Sequence, residues 1–226
     1  LADTIRGKYA EEKLLLIGFA ETATAIGAQA AIDLGTEYIQ TTREVIPGVG
    51  YLFFSEEHSH ATEQKLVKDD IDEAIGRIDR IVFIEDEVTT GKTILNIISV
   101  MQRQYAKDIK FAVASILNGM CEEHRKLYEE KSIDLHYLVK TDHSHYDEVA
   151  DTFAGDGEYR DYSVNEGQHI CSTDKGDDTS ASGAAGGYIA DSNNKVPVVA
   201  IAGRMDARRL VDARAYEAAC RNFSQA

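Results

Sequence analysis

Four consecutive apolar residues, Leu14-Leu15-Leu16-Ile17, run into Gly18 with no polar residue between them. A strand with one wet face alternates apolar and polar residues. A strand that is apolar throughout is covered on both faces, as in a parallel sheet packed between helices. Further strands are expected at Arg80 to Ile84, Phe111 to Leu117 and Ile133 to Val139, with helical stretches between at Thr93 to Tyr105 and Glu122 to Lys131. Thr22 or Thr24 caps a helix running to about Leu34, which Gly35 stops. Shorter strands are expected at Tyr38 to Thr42 and Tyr51 to Phe54, and the acidic stretch Lys68 to Ile75 reads as helix. This alternation predicts an α/β fold, a mainly parallel twisted sheet flanked by helices.

After Asp151 the character changes, because Gly155 to Gly187 is rich in Gly, Ser, Asp and Thr. The expected division is a core over residues 1–151, a linker or mobile segment over 152–195, and an extension over 196–226. That extension carries a strand, Val196 to Ile201, and a helix from about Asp206 to Asn222. The chain begins at Leu1 without Met, as a fragment of a longer protein would.

Partners are narrowed by charge. With 39 acids against 24 bases the formal net charge is −15, which excludes nonspecific grip on a nucleic-acid backbone and favours small molecules or divalent cations. Cys121, Cys171 and Cys220 are odd in number and widely spaced, so neither a disulfide framework nor a zinc knuckle is indicated, and a reducing cytoplasm fits. No apolar run approaches the roughly 20 residues that span a bilayer, so no membrane partner is expected.

Most of the functional information lies in Ile84-Glu85-Asp86-Glu87-Val88-Thr89-Thr90-Gly91-Lys92-Thr93. Ligands of an open α/β sheet bind beyond the carboxyl ends of its strands, where Glu85 and Asp86 would emerge. Their oxygens can accept hydrogen bonds from vicinal ribose hydroxyls or hold Mg2+ through water. The amides of Thr90 to Thr93 open the next helix and, with the hydroxyls of Thr89, Thr90 and Thr93, suit a phosphate. Gly91-Lys92-Thr93 also ends like a Walker A loop, but that loop needs a glycine where Asp86 stands. A plain acidic turn capping a helix is the remaining reading.

This arrangement resembles the phosphoribosyl-pyrophosphate (PRPP) signature of type I phosphoribosyltransferases. The resemblance implies that Glu85 and Asp86 face the ribose, while Thr89, Thr90, Gly91, Lys92 and Thr93 surround its 5′-phosphate. Gly18-Phe19-Ala20-Glu21-Thr22-Ala23-Thr24 matches the family's pyrophosphate loop, with Glu21, Thr22, Ala23 and Thr24 at the leaving group. In Thr41-Thr42-Arg43-Glu44, Arg43 looks like the basic residue aimed at pyrophosphate. With Glu56-Glu57-His58-Ser59-His60-Ala61, these segments are most similar to the orotate-phosphoribosyltransferase-like group associated with tellurite-resistance genes, often fused to a C-terminal TRSP domain.

Residues 43–68 fall where such enzymes place a mobile loop that excludes water from an oxocarbenium-like centre. Glu56, Glu57, His58 and His60 would then reach pyrophosphate, a metal or the incoming base; a plain polar loop is the alternative. The pairs His58/His60 and His143/His145 are zinc or nickel ligand types, although Mg2+ bound through pyrophosphate and water suits the acidic site better. Arg204, Arg208, Arg209 and Arg214 either form an anion pocket or pair with acids such as Asp206, Asp212 and Glu217.

The resemblance implies a Mg2+-dependent enzyme of nucleotide metabolism that joins PRPP to a nucleobase-like acceptor and releases pyrophosphate with inversion. Glu85 in place of the commoner Asp, and the lack of identifiable base-reading residues, motivate an alternative, a non-catalytic module that senses PRPP or nucleotide. In the family, hood segments build the acceptor pocket, and the candidates here are a missing or shortened N-terminus and the irregular region after Asp151. Dimers are common in the family.

Overall fold

The computed structural model describes residues 1–55, 64–153 and 205–225. It divides into two compact units, residues 1–144 with 201–226, and residues 145–200. In the second, the described residues are 145–153, which contain α6 (Tyr146–Thr152). All else described here belongs to the first.

Its sheet contains β1 (Leu14–Gly18), β2 (Glu37–Gln40), β5 (Arg80–Val88), β6 (Lys110–Asn118), β7 (Asp134–Lys140) and the short β8 (Val211–Asp212), in spatial order β7-β6-β5-β1-β2-β8. All neighbours pair in parallel except β8, which runs antiparallel to β2. A two-stranded antiparallel ribbon, β3 (Tyr51–Phe54) with β4 (Gln64–Val67), stands apart from it. The helices are α1 (Ala2–Ile5), α2 (Ala23–Leu34), α3 (Lys68–Ile75), α4 (Lys92–Gln104), α5 (Glu122–Glu130) and α7 (Ala213–Gln225).

The continuous apolar strands do cover both faces. Leu15, Ile17, Phe83 and Val113 face one core with Ile94, Ile97, Ile98 and Met101 of α4, spaced as one side of a helix. Leu16, Val82, Ile84 and Ala114 face the other with Ala28, Ala30 and Ala31 of α2. Small residues let α2 lie close to the sheet. Tyr38 fills the remaining space: a Cβ on Gly18 would meet its hydroxyl at 2.4 Å, and one on Gly27 would meet its ring at 2.8 Å. Gly35 ends α2 in the left-handed conformation, with its N–H on Ala31 and Ile32.

Several expectations needed correction. The strand expected to stop at Ile84 continues to Val88, because β6 runs alongside and pairs with Glu85, Glu87 and Val88. Gln64 to Val67, read as part of a loop, forms β4 because Tyr51 to Phe54 lies opposite it. The helix expected from about Asp206 starts at Ala213. Val211 and Asp212 instead pair with β2, and Asp212 Oδ1 accepts the N–H groups of Arg214 and Ala215. Val196 to Ile201 and Gly155 to Gly187 lie outside the described residues.

The first thirteen residues sit at the amino ends of the strands, opposite the end where ligands of such sheets bind, with Lys13 O accepting the Asp79 N–H at 2.8 Å. A polar network holds them there. Arg80 donates to Glu12 (2.6 Å) and Asp134 (2.9 Å) beneath the Tyr9 ring, and the Tyr9 hydroxyl bridges Asp134 (2.8 Å) and His136 Nε2 (2.6 Å). The Lys8 ammonium donates to His136 Nδ1 at 3.1 Å, so the imidazole is neutral and protonated on Nε2.

Burial, and then Lys8, hold His136 below the ordinary histidine range. The unfolded chain therefore takes up a proton near pH 6.5 that the folded chain refuses, and stability falls as pH drops below about 6.5. Urea unfolding at about pH 7.5 and pH 5.5 is expected to show a smaller loss for His136→Gln than for the natural chain. An equal loss in both would remove His136 as its source.

Candidate active site

Gly18 of β1 stands in register with Gln40 of β2 and Ile84 of β5, so the segments following these three strands meet at one edge of the sheet. The chain turns from β1 towards β2 on one side and from β5 towards β6 and β7 on the other. Between β1 and β5 this leaves the crevice in which open α/β sheets bind ligands.

On the β1 side, Phe19 anchors the loop from below, packed on Phe54 and Phe83 with ring centroids 5.8 and 5.7 Å away. Above it a closed ring of hydrogen bonds holds Ala20. Its N–H donates to Thr41 Oγ1 (2.8 Å), Thr41 donates to Gln64 Oε1 (2.5 Å), and Gln64 Nε2 returns to Ala20 O (2.9 Å). Thr41 and Gln64 are fully buried, which makes these bonds costly to break. The Ala20–Glu21 peptide is cis. Glu21 and Thr22 are exposed, Ala23 is buried, and Thr24 Oγ1 donates to Glu21 O at 2.9 Å. Half-buried Arg43 lies 3.6 Å from the Glu21 carboxylate, so β1 and β2 bring these two predicted residues together.

On the β5 side, Glu85 and Asp86 are half-buried in the carboxyl-terminal half of the strand. Asp86 is in extended backbone, where a Walker A loop would already be curling around phosphate. Thr89 and Thr90 lead to Gly91, which caps α4 at φ 70°. Lys92 is exposed and Thr93 half-buried in the first turn of α4. The Gly91 carbonyl accepts the Tyr128 hydroxyl of α5 at 2.6 Å. Burial, and then the Glu85 carboxylate, push the Tyr128 hydroxyl well above the ordinary tyrosine range, so it stays a donor.

Beyond β6, the Lys140 ammonium binds the carbonyls of Asn118 (3.1 Å), Met120 (2.8 Å) and Thr141 (3.0 Å), joining the ends of β6 and β7. His143 crosses back over Gly119, where a Cβ would meet all three of Cε1, Nδ1 and Nε2 within 2.9 Å, and its Nε2 lies 3.3 Å from Glu87. His145 pairs with Glu148 in the second unit. Glu56, Glu57, His58 and His60 lie outside the described residues. The chain beside them is anchored by Asn96 of α4, which donates to Ser55 O at 3.1 Å.

Tyr128 and Gln64 escaped the sequence reading. The signal for Tyr128 is a large ring on an otherwise charged helix; Gln64 offered none. Of the four arginines, Arg208 pairs with Asp206 and Glu44, and Arg209 with Asp70. Arg204 lies outside the described residues. A cavity of about 490 Å³ opens at the opposite end of the sheet, but its Glu12, Arg77 and Glu37 are in ion pairs. Among the described residues no three His, Cys, Asp or Glu side chains converge as a metal cluster, and no helix is long and apolar enough to cross a membrane.

Similar solved structures include adenine phosphoribosyltransferases from three organisms. That of Rhodothermus marinus is 15% identical, covering 61% of this chain and 75% of that one, with a TM-score of 0.43. That of Thermoanaerobacter pseudethanolicus is 15% identical, covering 62% and 76%, with a TM-score of 0.45. That of Trypanosoma brucei is 17% identical, covering 62% and 60%, with a TM-score of 0.44. No curated protein matches the chain. The family model described as phosphoribosyl transferase matches residues 1–145, the stretch that contains both sides of this crevice, and the chain belongs to that family.

Proposed function

We propose that the protein transfers phosphoribose from PRPP to a nucleobase-like acceptor and releases pyrophosphate. The observation that carries this is the meeting of the Glu21/Arg43 pair and the Glu85-to-Thr93 segment at one sheet edge. Glu85 and Asp86 orient the ribose hydroxyls, the amides of Thr90 to Thr93 bind the 5′-phosphate, and Arg43 with the Glu21-to-Thr24 loop receives pyrophosphate. Glu21 keeps the guanidinium in place until the more highly charged pyrophosphate displaces it. Oxygen donors that are half-buried and reach a cation through water suit a hard ion, so Glu85 and Asp86 would hold Mg2+, which neutralises charge building on the leaving group.

Inversion needs the acceptor to approach opposite the leaving group. With pyrophosphate on the β1–β2 side, the acceptor enters from the β6–β7 side, where His143 and Glu87 stand. Membership of the orotate-phosphoribosyltransferase-like, tellurite-cluster group is supported by the sequence of segments 18–24, 41–44 and above all 56–61.

Calorimetry with PRPP and Mg2+ tests the reading. Binding is expected, followed by pyrophosphate release with at least one member of a panel of purine and pyrimidine bases. Well-folded protein that ignores PRPP would sink it; binding without turnover would favour the sensing module.

A further inference from the structure

Residues 205–212 lie beyond the stretch that the family model matches, yet they close on the turn that carries Arg43. Val211 and Asp212 pair with Tyr38 and Glu37, and Ala207 O accepts the Gln40 N–H at 2.8 Å, so β2 is held up to the residue before Thr41. Past Arg43, Arg208 reaches Glu44 while Asp206 grips the same guanidinium at 2.9 and 2.6 Å.

At the side, Arg209 forks onto Asp70 with bonds of 2.7 and 2.6 Å, and Asp70 also accepts the Leu210 N–H at 2.8 Å. The Asp70 side chain is only 6% exposed. Asp70 lies in the first turn of α3, directly after β4, whose Gln64 and Lys65 bond Thr41 and Thr42. The 41–44 turn is thus fixed through both neighbours. Ala207, Val211 and Ala213 already bury the apolar surface that docks this segment, whereas Arg208 and Arg209 are directed at the turn and its support.

We infer that Arg208 and Arg209 are positioning residues for the leaving group: by holding Glu44 and Asp70 they fix the 41–44 turn so that Arg43 faces the Glu21 loop. This rests on the role proposed for Arg43. A guanidinium on a loose turn must be ordered as it binds, and that ordering cost is subtracted from affinity.

The test compares PRPP with ribose 5-phosphate, which lacks the pyrophosphate, by calorimetry in Mg2+ on the full chain. Arg209→Met is expected to weaken PRPP roughly tenfold and Arg208→Ala roughly fourfold, while ribose 5-phosphate stays within about twofold, with Arg209→Lys between Arg209→Met and the natural chain. Arg208 pairs with exposed Glu44, so its loss leaves the fold intact and keeps the test decisive if Arg209→Met unfolds. Equal weakening of both ligands, or of neither, would overturn the inference and leave the proposed function standing. A natural chain that does not prefer PRPP to ribose 5-phosphate would overturn both.

Discussion

Asp86→Asn is expected to lower kcat/KM for PRPP by roughly 10²- to 10³-fold, as removal of one transition-state electrostatic partner does. The substitution keeps size and shape at a half-buried position and removes only the charge. As the bond to pyrophosphate breaks, positive charge develops on the ribosyl ring, and an anion held against its hydroxyls stabilises that state more than the ground state. Loss should therefore appear in kcat as well as in binding. Unchanged kcat with an unchanged melting temperature would show that Asp86 is not part of the site. A matching fall in melting temperature would assign the effect to folding.

Gly91→Ala should damage both stability and binding. A Cβ there would stand 2.3 Å from the Tyr128 hydroxyl and 2.5 Å from Met120 Cε, in a backbone conformation at φ 70° that alanine disfavours. Left-handed strain and overpacking together cost about 3 kcal/mol, a drop in melting temperature of about 6–12 °C for a chain of this size. The turn can relieve the contact only by moving the first amides of α4, so phosphate affinity should fall with it. Adding Tyr128→Phe removes the closest atom, and the double variant should recover part of the loss, since residues in contact couple. Strict additivity in melting temperature would show that Tyr128 does not press on Gly91.

Hydropathy was enough to place the strands at Leu14 and Phe111, because a strand buried on both faces has few ways to be written. It could not show how far β5 extends. Residues Glu85 to Val88 are extended through their pairing with β6, a partner about 30 residues away. The same holds for β4 and β8, whose sequences are too short to declare themselves.

The candidate site divides similarly. Its motif is local, with two acids and the helix-opening amides within ten residues, and the segments 18–24 and 41–44 could be singled out beside it. What holds those segments was not, because Thr41 and Gln64 are 23 residues apart, Gln64 and Ala20 are 44, and Tyr128 and Gly91 are 37. Such bonds exist only once the chain has folded. The packing of the N-terminal residues was not legible for a related reason: Lys8, Tyr9 and Glu12 look like ordinary surface residues until Arg80, Asp134 and His136 are beside them.

Tyr38 occupies the room that two missing side chains leave, above Gly18 and beside Gly27, and its hydroxyl donates to Thr24 O at 2.7 Å. These three positions cannot vary one at a time. A larger residue at either glycine collides with the ring, and a smaller one at 38 opens a void beneath the loop that ends at Thr24. In descendants of this sequence the three should change together or not at all, an inherited unit spread over two strands and a helix.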